Sequence, residues 1–419
     1  MLRPVPVAMM TAACLAATAA ACTPPSSLDP PTLSTTTTAG SGPTTSAAAT
    51  TTTTTTTIPA TTTTLPDGTA LYSTTPVDGW GIYKEGVGDQ YVDAVEIAGN
   101  AAYAGGLFTH AVKGTTTVGR ANLMSVDLST GNLRSFVADT NGSVDALASD
   151  GAALYLGGTF TTVNGVPRSR VAKVDLATGA VDPTFVADVG ALVDDMVVVG
   201  GTLYLGGEFN TVDGVTRHHA AAVSTTDGSL IAAFDPNTDG KIAALAASPD
   251  GSVLYLGGNF TTVGTTGRLY LAKVDATTGE VTGPTFSRVG DVILDLSVSS
   301  DGASVFGAGG GGFNSAAGWS ATTGLRRFVQ RADGDTQAVQ YSNSHVYMGF
   351  HDGFGGDITL RLLALAPTDG AIDPTFHPSS NSYPGVYCLD ADGRYLVAGG
   401  YFSNMGGVGV KGLAIFPKA

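Results

Sequence analysis

Short runs of alternating apolar and polar residues, broken by glycine-containing turns, fill the chain from residue 92 to residue 416. Val144-Asp145-Ala146-Leu147 and Ile242-Ala243-Ala244-Leu245 open two such stretches, and each leads into Tyr-Leu-Gly-Gly-x-Phe, at Tyr155 to Phe160 and at Tyr255 to Phe260. A loop follows, with Asn164-Gly165 or Asp213-Gly214. Then come an alternating segment such as Val171-Ala172-Lys173-Val174-Asp175, a Thr178-Gly179 or Asp227-Gly228 turn, and a last segment ending on Phe185 or Phe234. Successive strand side chains point to opposite faces, so a period of two between turn glycines predicts strands. No stretch sustains the 3.6-residue period of an amphipathic helix.

The unit recurs seven times, its first glycine falling at 105, 157, 206, 257, about 309, 349 and 399, a mean step of 49. Residues 67–419 number 353, so seven units of about 50 account for all of them. Four strands per unit, seven units and no helices predict an all-β, seven-bladed β-propeller of four-stranded antiparallel blades, whose radial closure leaves only short edges. The turn followed by a last-strand Phe occurs only six times, beginning with Phe136, so one outer strand is missing. Trp80-Gly81-Ile82-Tyr83 is expected to supply it, because Tyr83 stands ten residues before Asp93 and Phe136 nine before Asp145. That segment would complete the blade begun at Tyr395 and close the ring with strands from both chain ends.

The run Gly-Gly-x-Phe, Asn-Gly, Arg, Ala-x-Val-Asp, Thr-Gly and Asp-Pro-Thr-Phe, clearest over 143–290, resembles the delta-60 repeat β-propellers of bacterial secreted and surface proteins. The resemblance implies the fold and little about activity, because propellers host enzymes and binding platforms alike. Two units depart from it. The fifth shortens the loop between Phe313 and Trp319 by eight residues relative to Phe160 and Val174, and the sixth has Phe350 for its second glycine. Neither the Gly-His and Trp-Asp signature of WD repeats nor the downstream Tyr and Trp of kelch repeats is present.

Upstream of the repeats the pattern changes. Arg3 precedes an uncharged stretch, Pro4 to Ala21, that ends in small residues before Cys22, which predicts a signal peptide over 1–21. Ala19-Ala20-Ala21-Cys22 resembles a bacterial lipobox, with Ala19 where leucine is usual, so Cys22 is the candidate lipidation site and plain secretion the alternative. Residues 22–66 hold 19 threonines between Thr32 and Thr64 and too few large apolar side chains to offset chain entropy, which predicts a disordered Thr-rich stalk. The seven-bladed propeller then occupies 67–419. After Pro66 no segment offers the roughly 18 uninterrupted apolar residues of a membrane span, so membrane attachment is expected only through a lipid on Cys22.

Charge narrows the partners. Twenty basic residues face 35 acidic ones, for a formal net charge of −15, which argues against nucleic acid and anionic lipid. Of three cysteines, Cys14 is lost with the leader, and Cys388 is expected as a lone buried structural thiol.

Two residue columns carry candidate chemistry. Arg120, Arg168, Arg217 and Arg268 each stand seven residues before Asp127, Asp175, Ser224 and Asp275, where their guanidinium groups would either line one arc of a face and bind carboxylates or sugar hydroxyls, or staple loops to a neighbouring blade. Asp93, Asp145 and Asp194 share one strand position, with Asp195 and Asp295 one place further on. If that strand lines the central channel, these carboxylates would gather a hard cation such as Ca²⁺; otherwise they accept backbone N–H bonds at strand ends. Asp182-Pro183, Asp235-Pro236 and Asp373-Pro374 read as turns. The six histidines are scattered, and no nucleophile elbow, zinc helix, Cys-x-x-Cys pair or phosphate loop occurs, so no catalytic residue and no cofactor is assigned. The leading expectation is an extracytoplasmic, monomeric, non-catalytic binding module for a cell-envelope glycan, peptide or protein. Its rivals are an extracytoplasmic enzyme acting on sugars, lactones or quinone-linked alcohols, and a structural spacer.

Overall fold

A computed structural model of the chain describes residues 71–86, 88–381 and 385–419, and the expected leader and stalk lie outside them. By internal contacts the chain divides into Met1–Thr63 and Thr64–Ala419, and every described residue belongs to the second unit. Among the described residues every regular element is a strand. Seven sheets follow one another along the chain, each built from consecutive antiparallel strands. Their innermost strands are Tyr91–Ala98, Val144–Ser149, Val193–Val199, Ile242–Ala247, Ile293–Val298, Thr336–Ser342 and Gly385–Ala391. Each packs against the innermost strands before and after it, and Gly385–Ala391 of the seventh sheet packs against Tyr91–Ala98 of the first. No sheet closes on itself by hydrogen bonds.

The paired glycines are explained by this stacking. A Cβ on the first would strike the next sheet: at Gly105 it would lie 2.6 Å from Val144 Cγ1, at Gly257 2.6 Å from Ile293 Cγ2, and at Gly399 2.5 Å from Val92 Cγ1. A Cβ on the second would overlap a carbonyl oxygen of its own sheet's innermost strand or of the residue before it, as Gly106 would with Tyr91 and Gly258 with Lys241. The repeated Tyr and Phe have a shared reason as well. Tyr103 packs edge-on against Phe136, Tyr155 against Phe185 and Tyr204 against Phe234, with ring centroids 5.0–5.6 Å apart.

Four-stranded blades are found once. In the fifth sheet the outer strand Arg326–Arg331 pairs fully with Ser315–Ser320. In the others the outer element shrinks to a single bridge, such as Val174 with Val181 or Leu365 with Ile372. Pro183, Pro284 and Pro374 stand two or three residues beyond such bridges in the second, fourth and sixth sheets, where the missing N–H and fixed φ stop a strand. Asp182 and Asp373 accept hydrogen bonds from Thr184 and Thr375 N–H, so these Asp-Pro pairs are turns.

Residues 71–77 meet the C-terminal strand in the seventh sheet, three to nine residues before Trp80, where the sequence places the meeting. Residues 71–77 run beside the third strand, Leu413–Pro417: Ser73 N–H donates to Pro417 O and Val77 N–H to Ile415 O, both at 2.8 Å, and Tyr72 bridges Lys418. Trp80 to Tyr83 do something else. Gly81–Tyr83 pairs with His110–Lys113, a hairpin strand of the first sheet. Aligning Tyr83 with Phe136 mistook this short strand for the outer element, because the spacing to Asp93 does not tell which strand the segment pairs with.

Candidate functional site

Each innermost strand carries one β-bulge at the same place, because its pairing with the second strand skips a residue: Val92 faces Gly106 and Ala94 faces Gly105, which leaves Asp93 unpaired. A bulge re-aims the extra side chain. The bulged residues are Asp93, Asp145, Asp194, Ala243, Leu294, Gln337 and Tyr387, in sheet order, and all seven line one central cavity of about 130 Å³. The second strand runs back to this same end before its loop begins. The two-stranded hairpins of the first four sheets, such as Thr162–Val163 with Val166–Pro167, therefore stand on the side of the cavity mouth.

Three carboxylates in adjacent sheets meet in this cavity. Burial, with the Asp145 charge next, raises Asp93 well above the usual carboxylate range. Burial also raises Asp145, against the hydrogen bond it accepts at 2.8 Å from Ser143 Oγ. Asp194 is pushed up to about 6 by burial, partly offset by Lys241, whose Nζ lies 2.7 Å from Asp194 Oδ1 and 3.3 Å from Glu208 Oε1. Burial works against the Lys241 charge, but these two partners outweigh it and hold its pKa above the usual lysine value. Tyr91, whose ring lies edge-on 6.1 Å from that of Tyr387, is raised to about 12 by burial and the nearby Asp93. Two buried acceptor oxygens on residues lining the cavity, Asp194 Oδ2 and Gln337 Oε1, have no hydrogen-bond partner. Buried acceptors are normally satisfied, so this mouth is short of donors.

Asp195 and Asp295 also line the cavity but are occupied. Asp195 accepts from Met196 N–H and, across to the next sheet, from Leu245 N–H at 2.6 Å; Asp295 accepts likewise from Leu296 and, at 2.8 Å, from Val339. These carboxylates staple neighbouring sheets. Sequence reasoning missed a third staple, Asp390, which accepts from Ala391 N–H and from Ile97 N–H of the first sheet at 2.6 Å. It also missed Glu96, which burial and the Asp390 charge raise well above the usual range. The available signal was an acid two or three residues past the bulge inside an apolar strand. Among the described residues no group of three or more His, Cys, Asp or Glu side chains is arranged to hold a metal ion, and Asp195 and Asp295, two of the carboxylates considered for Ca²⁺, follow the alternative reading and accept backbone N–H bonds.

The arginine column turns inward. Arg120 donates to Gly119 and Arg134 carbonyls, Arg168 to Pro167 and Asp182, Arg217 to Thr216 and Ala232, and Arg268 to Gly267. Arg168 and Arg217 are buried. Each of the first three ties its own sheet's hairpin to its outer element, a staple within a sheet rather than to a neighbouring blade, and Arg217 Nη1 also lies 3.7 Å from Asp235 Oδ2, whereas Arg268, among the described residues, bonds only the carbonyl beside it. No histidine lines the cavity; His345 is buried, with Nδ1 2.9 Å from Asn343 O. Cys388 does line it, as a free thiol raised well above its usual value by burial.

Burial pushes Asp195 up to about 8 and Asp295 to about 7, whereas an unfolded Asp titrates near 4. Between those values the folded chain holds more protons than the unfolded one, so stability is greatest at the acid end and falls as pH rises from about 4 to about 8. Below about 4 the sign reverses, because turn carboxylates such as Asp239, at about 2, lose their hydrogen-bonded charged form. Thermal melts are expected to show a higher Tm at pH 5 than at pH 8, with the difference reduced in Asp195→Asn. A Tm that rises over this interval contradicts the assignment.

Residues 154–185, from the second strand of the second sheet to Phe185, match a family described as "Domain of unknown function (DUF5122) beta-propeller". Among solved structures the chain is similar to the WD40 beta propeller domain of Doa1, at 13% identity and TM-score 0.52 over 81% of this chain and 98% of that one. It is also similar to the Cps50 (Swd1) beta-propeller domain of Myceliophteria thermophila, at 12% and 0.53 over 80% and 98%, and to a chain of a mitotic checkpoint complex, at 14% and 0.57 over 83% and 93%. The fold is a β-propeller. No curated protein matches the chain.

Proposed function

We propose that this propeller is a non-catalytic interaction module that receives a cationic group, the ammonium of a lysine side chain or of an amino sugar, in the acid-lined mouth of its channel. The observation that carries the reading is the pair of unpartnered buried acceptors, Asp194 Oδ2 and Gln337 Oε1, in a cavity that also holds Asp93 and Asp145. An ammonium brings three donors, no acceptor and a positive charge. A volume of about 130 Å³ suits the head of a side chain rather than a whole sugar ring system. The module is a closed, monomeric, seven-bladed ring whose hairpins on the mouth side meet the rest of the partner, a glycan, peptide or protein of the cell envelope.

A thermal-shift titration with N-acetyl-lysine amide, glucosamine oligomers and CaCl₂ tests this, because a ligand of the native state raises Tm by mass action. The two amines are expected to raise Tm, and Asp194→Asn to remove the shift. A Ca²⁺ response without an amine response would replace the ammonium by the hard cation, and shifts unchanged in Asp194→Asn would refute the site. The domain is further proposed to stand outside the cytoplasm on the 22–66 stalk, tethered by a lipid on Cys22. Metabolic labelling with a fatty acid is expected to mark the chain and to fail in Cys22→Ser; equal labelling of both contradicts the tether.

A further inference from the structure

We propose that the outer edge of the fifth sheet, the strand Arg326–Arg331, docks an extended acidic segment of a partner protein as an added strand. This proposal is independent of the channel mouth. Among the described residues the fifth is the one blade sheet whose outer element is a regular strand; elsewhere that element is a single bridge or, in the seventh sheet, residues 71–77. An unpaired strand edge is a template for strand addition.

Arg326 N–H is taken by Ser287 Oγ at 3.0 Å, and the backbone of this edge is available from Val329 onward. Ala332 N–H donates to Asn314 O at 2.9 Å, and Arg331, Gln330 and Val329 face Ser315, Ala316 and Ala317. In an antiparallel ladder the residues alternate between bonding the neighbour and pointing away, so Val329 and Arg331 direct their N–H and C=O groups outward. Neither residue makes a backbone hydrogen bond outside its sheet. The side chains alternate as well. Phe328 is buried, its ring 6.2 Å from that of Phe306, while Arg327, Val329 and Arg331 face solvent, with Val329 42% exposed.

The charge selects the occupant. Three arginines in six residues stand on a chain of net charge −15. Arg327 is held by Ser304 Oγ at 2.7 Å, and Arg326 by Arg288 O at 2.9 Å, whereas among the described residues the Arg331 side chain has no hydrogen-bond or ion-pair partner. A second copy meeting the same edge in antiparallel register, Val329 opposite Val329, would set Arg331 opposite Arg327, and like charges directly opposite destabilise a pair. An extended segment with an apolar residue and an Asp or Glu two residues to either side of it, all on one strand face, complements Arg327, Val329 and Arg331.

The test is hydrogen exchange and fluorescence titration of the full chain with a capped Glu–Val octapeptide that carries Glu-Thr-Val-Thr-Glu, so that both acids and the valine share one strand face, beside its Lys–Val counterpart with Lys for each Glu. The expected result is binding of the Glu–Val peptide, slowed exchange at Val329 and Arg331, and affinity weakened about fivefold or more in Arg331→Glu. Arg331 makes no side-chain bond to lose, and an unchanged Tm of that variant verifies its fold. Equal binding of both peptides, protection elsewhere, or no binding at all overturns the proposal and leaves the arginines as charges that keep the edge from self-pairing.

Discussion

A chain beginning at Gly79 is expected to aggregate or unfold under conditions in which a chain beginning at Leu71 is folded and monomeric. The difference between the two is the segment that runs beside Leu413–Pro417, and removing it costs more than hydrogen bonds. Tyr72 is 2% exposed, packs 5.3 Å from the ring of Tyr347 and shares a 2.8 Å hydrogen bond with Ser342 Oγ, so it clasps the seventh sheet to the sixth. Losing a buried aromatic side chain alone costs about 3–5 kcal/mol. The truncation adds a bared strand edge at Leu413–Pro417, where Ser73 and Val77 bonded before. Urea unfolding of the two chains, with light scattering to follow association, is the check. Equal midpoints with no association would show that the ends do not hold the structure together.

Gly258→Ala is expected to destabilise the protein severely, by about 3 kcal/mol or more, although it adds one methyl group. The new Cβ would overlap the Lys241 carbonyl oxygen, and a backbone atom cannot turn aside as a side chain can. The shift would pass directly into the bulge at Ala243 and into Lys241, so the partner of Asp194 would move with it. Gly267→Ala is the control, since no atom lies within contact of a Cβ there and its φ is not positive. Its unfolding free energy should stay within about 0.5 kcal/mol of the parent. Similar losses in both variants would mean that the paired glycines serve flexibility rather than close approach.

The repeat was legible because its marks are physical necessities. Tyr155 and Phe185 must pack on each other, Gly157 must admit Val193 of the next sheet, and Thr178-Gly179 must turn the chain, with Gly179 at a φ of 80°. Where an element depends on one bond or on a distant partner, its pattern fades. The outer segments look alike in sequence only as a turn glycine followed by a Phe, yet Pro183 and Pro374 reduce theirs to a bridge while Arg326–Arg331 extends. Residues 71–77 carry no repeat signature, because they are recognised only by the strand they meet at the far end of the chain.

The candidate site was half legible for a related reason. Position shows that Asp93, Asp145 and Asp194 are equivalent, but only the bulge decides that they turn into the channel, and a bulge leaves no residue type of its own. One residue further on, Asp195 and Asp295 turn to the next sheet's N–H groups instead. For the arginines a stapling role was legible but its partners were not, because the Arg134, Asp182 and Ala232 carbonyls are backbone atoms of the same sheet that no sequence pattern displays.

Calorimetric titration of N-acetyl-lysine amide into the protein at pH 6, repeated in buffers of different ionisation enthalpy, tests the channel mouth most directly. With Asp93 and Asp145 raised and Asp194 at about 6, an incoming ammonium must drive protons from these carboxyls to gain its partners. Binding accompanied by proton release, and both lost in Asp194→Asn, is the predicted result. Absence of binding, or binding with no proton release that persists in Asp194→Asn, would contradict it.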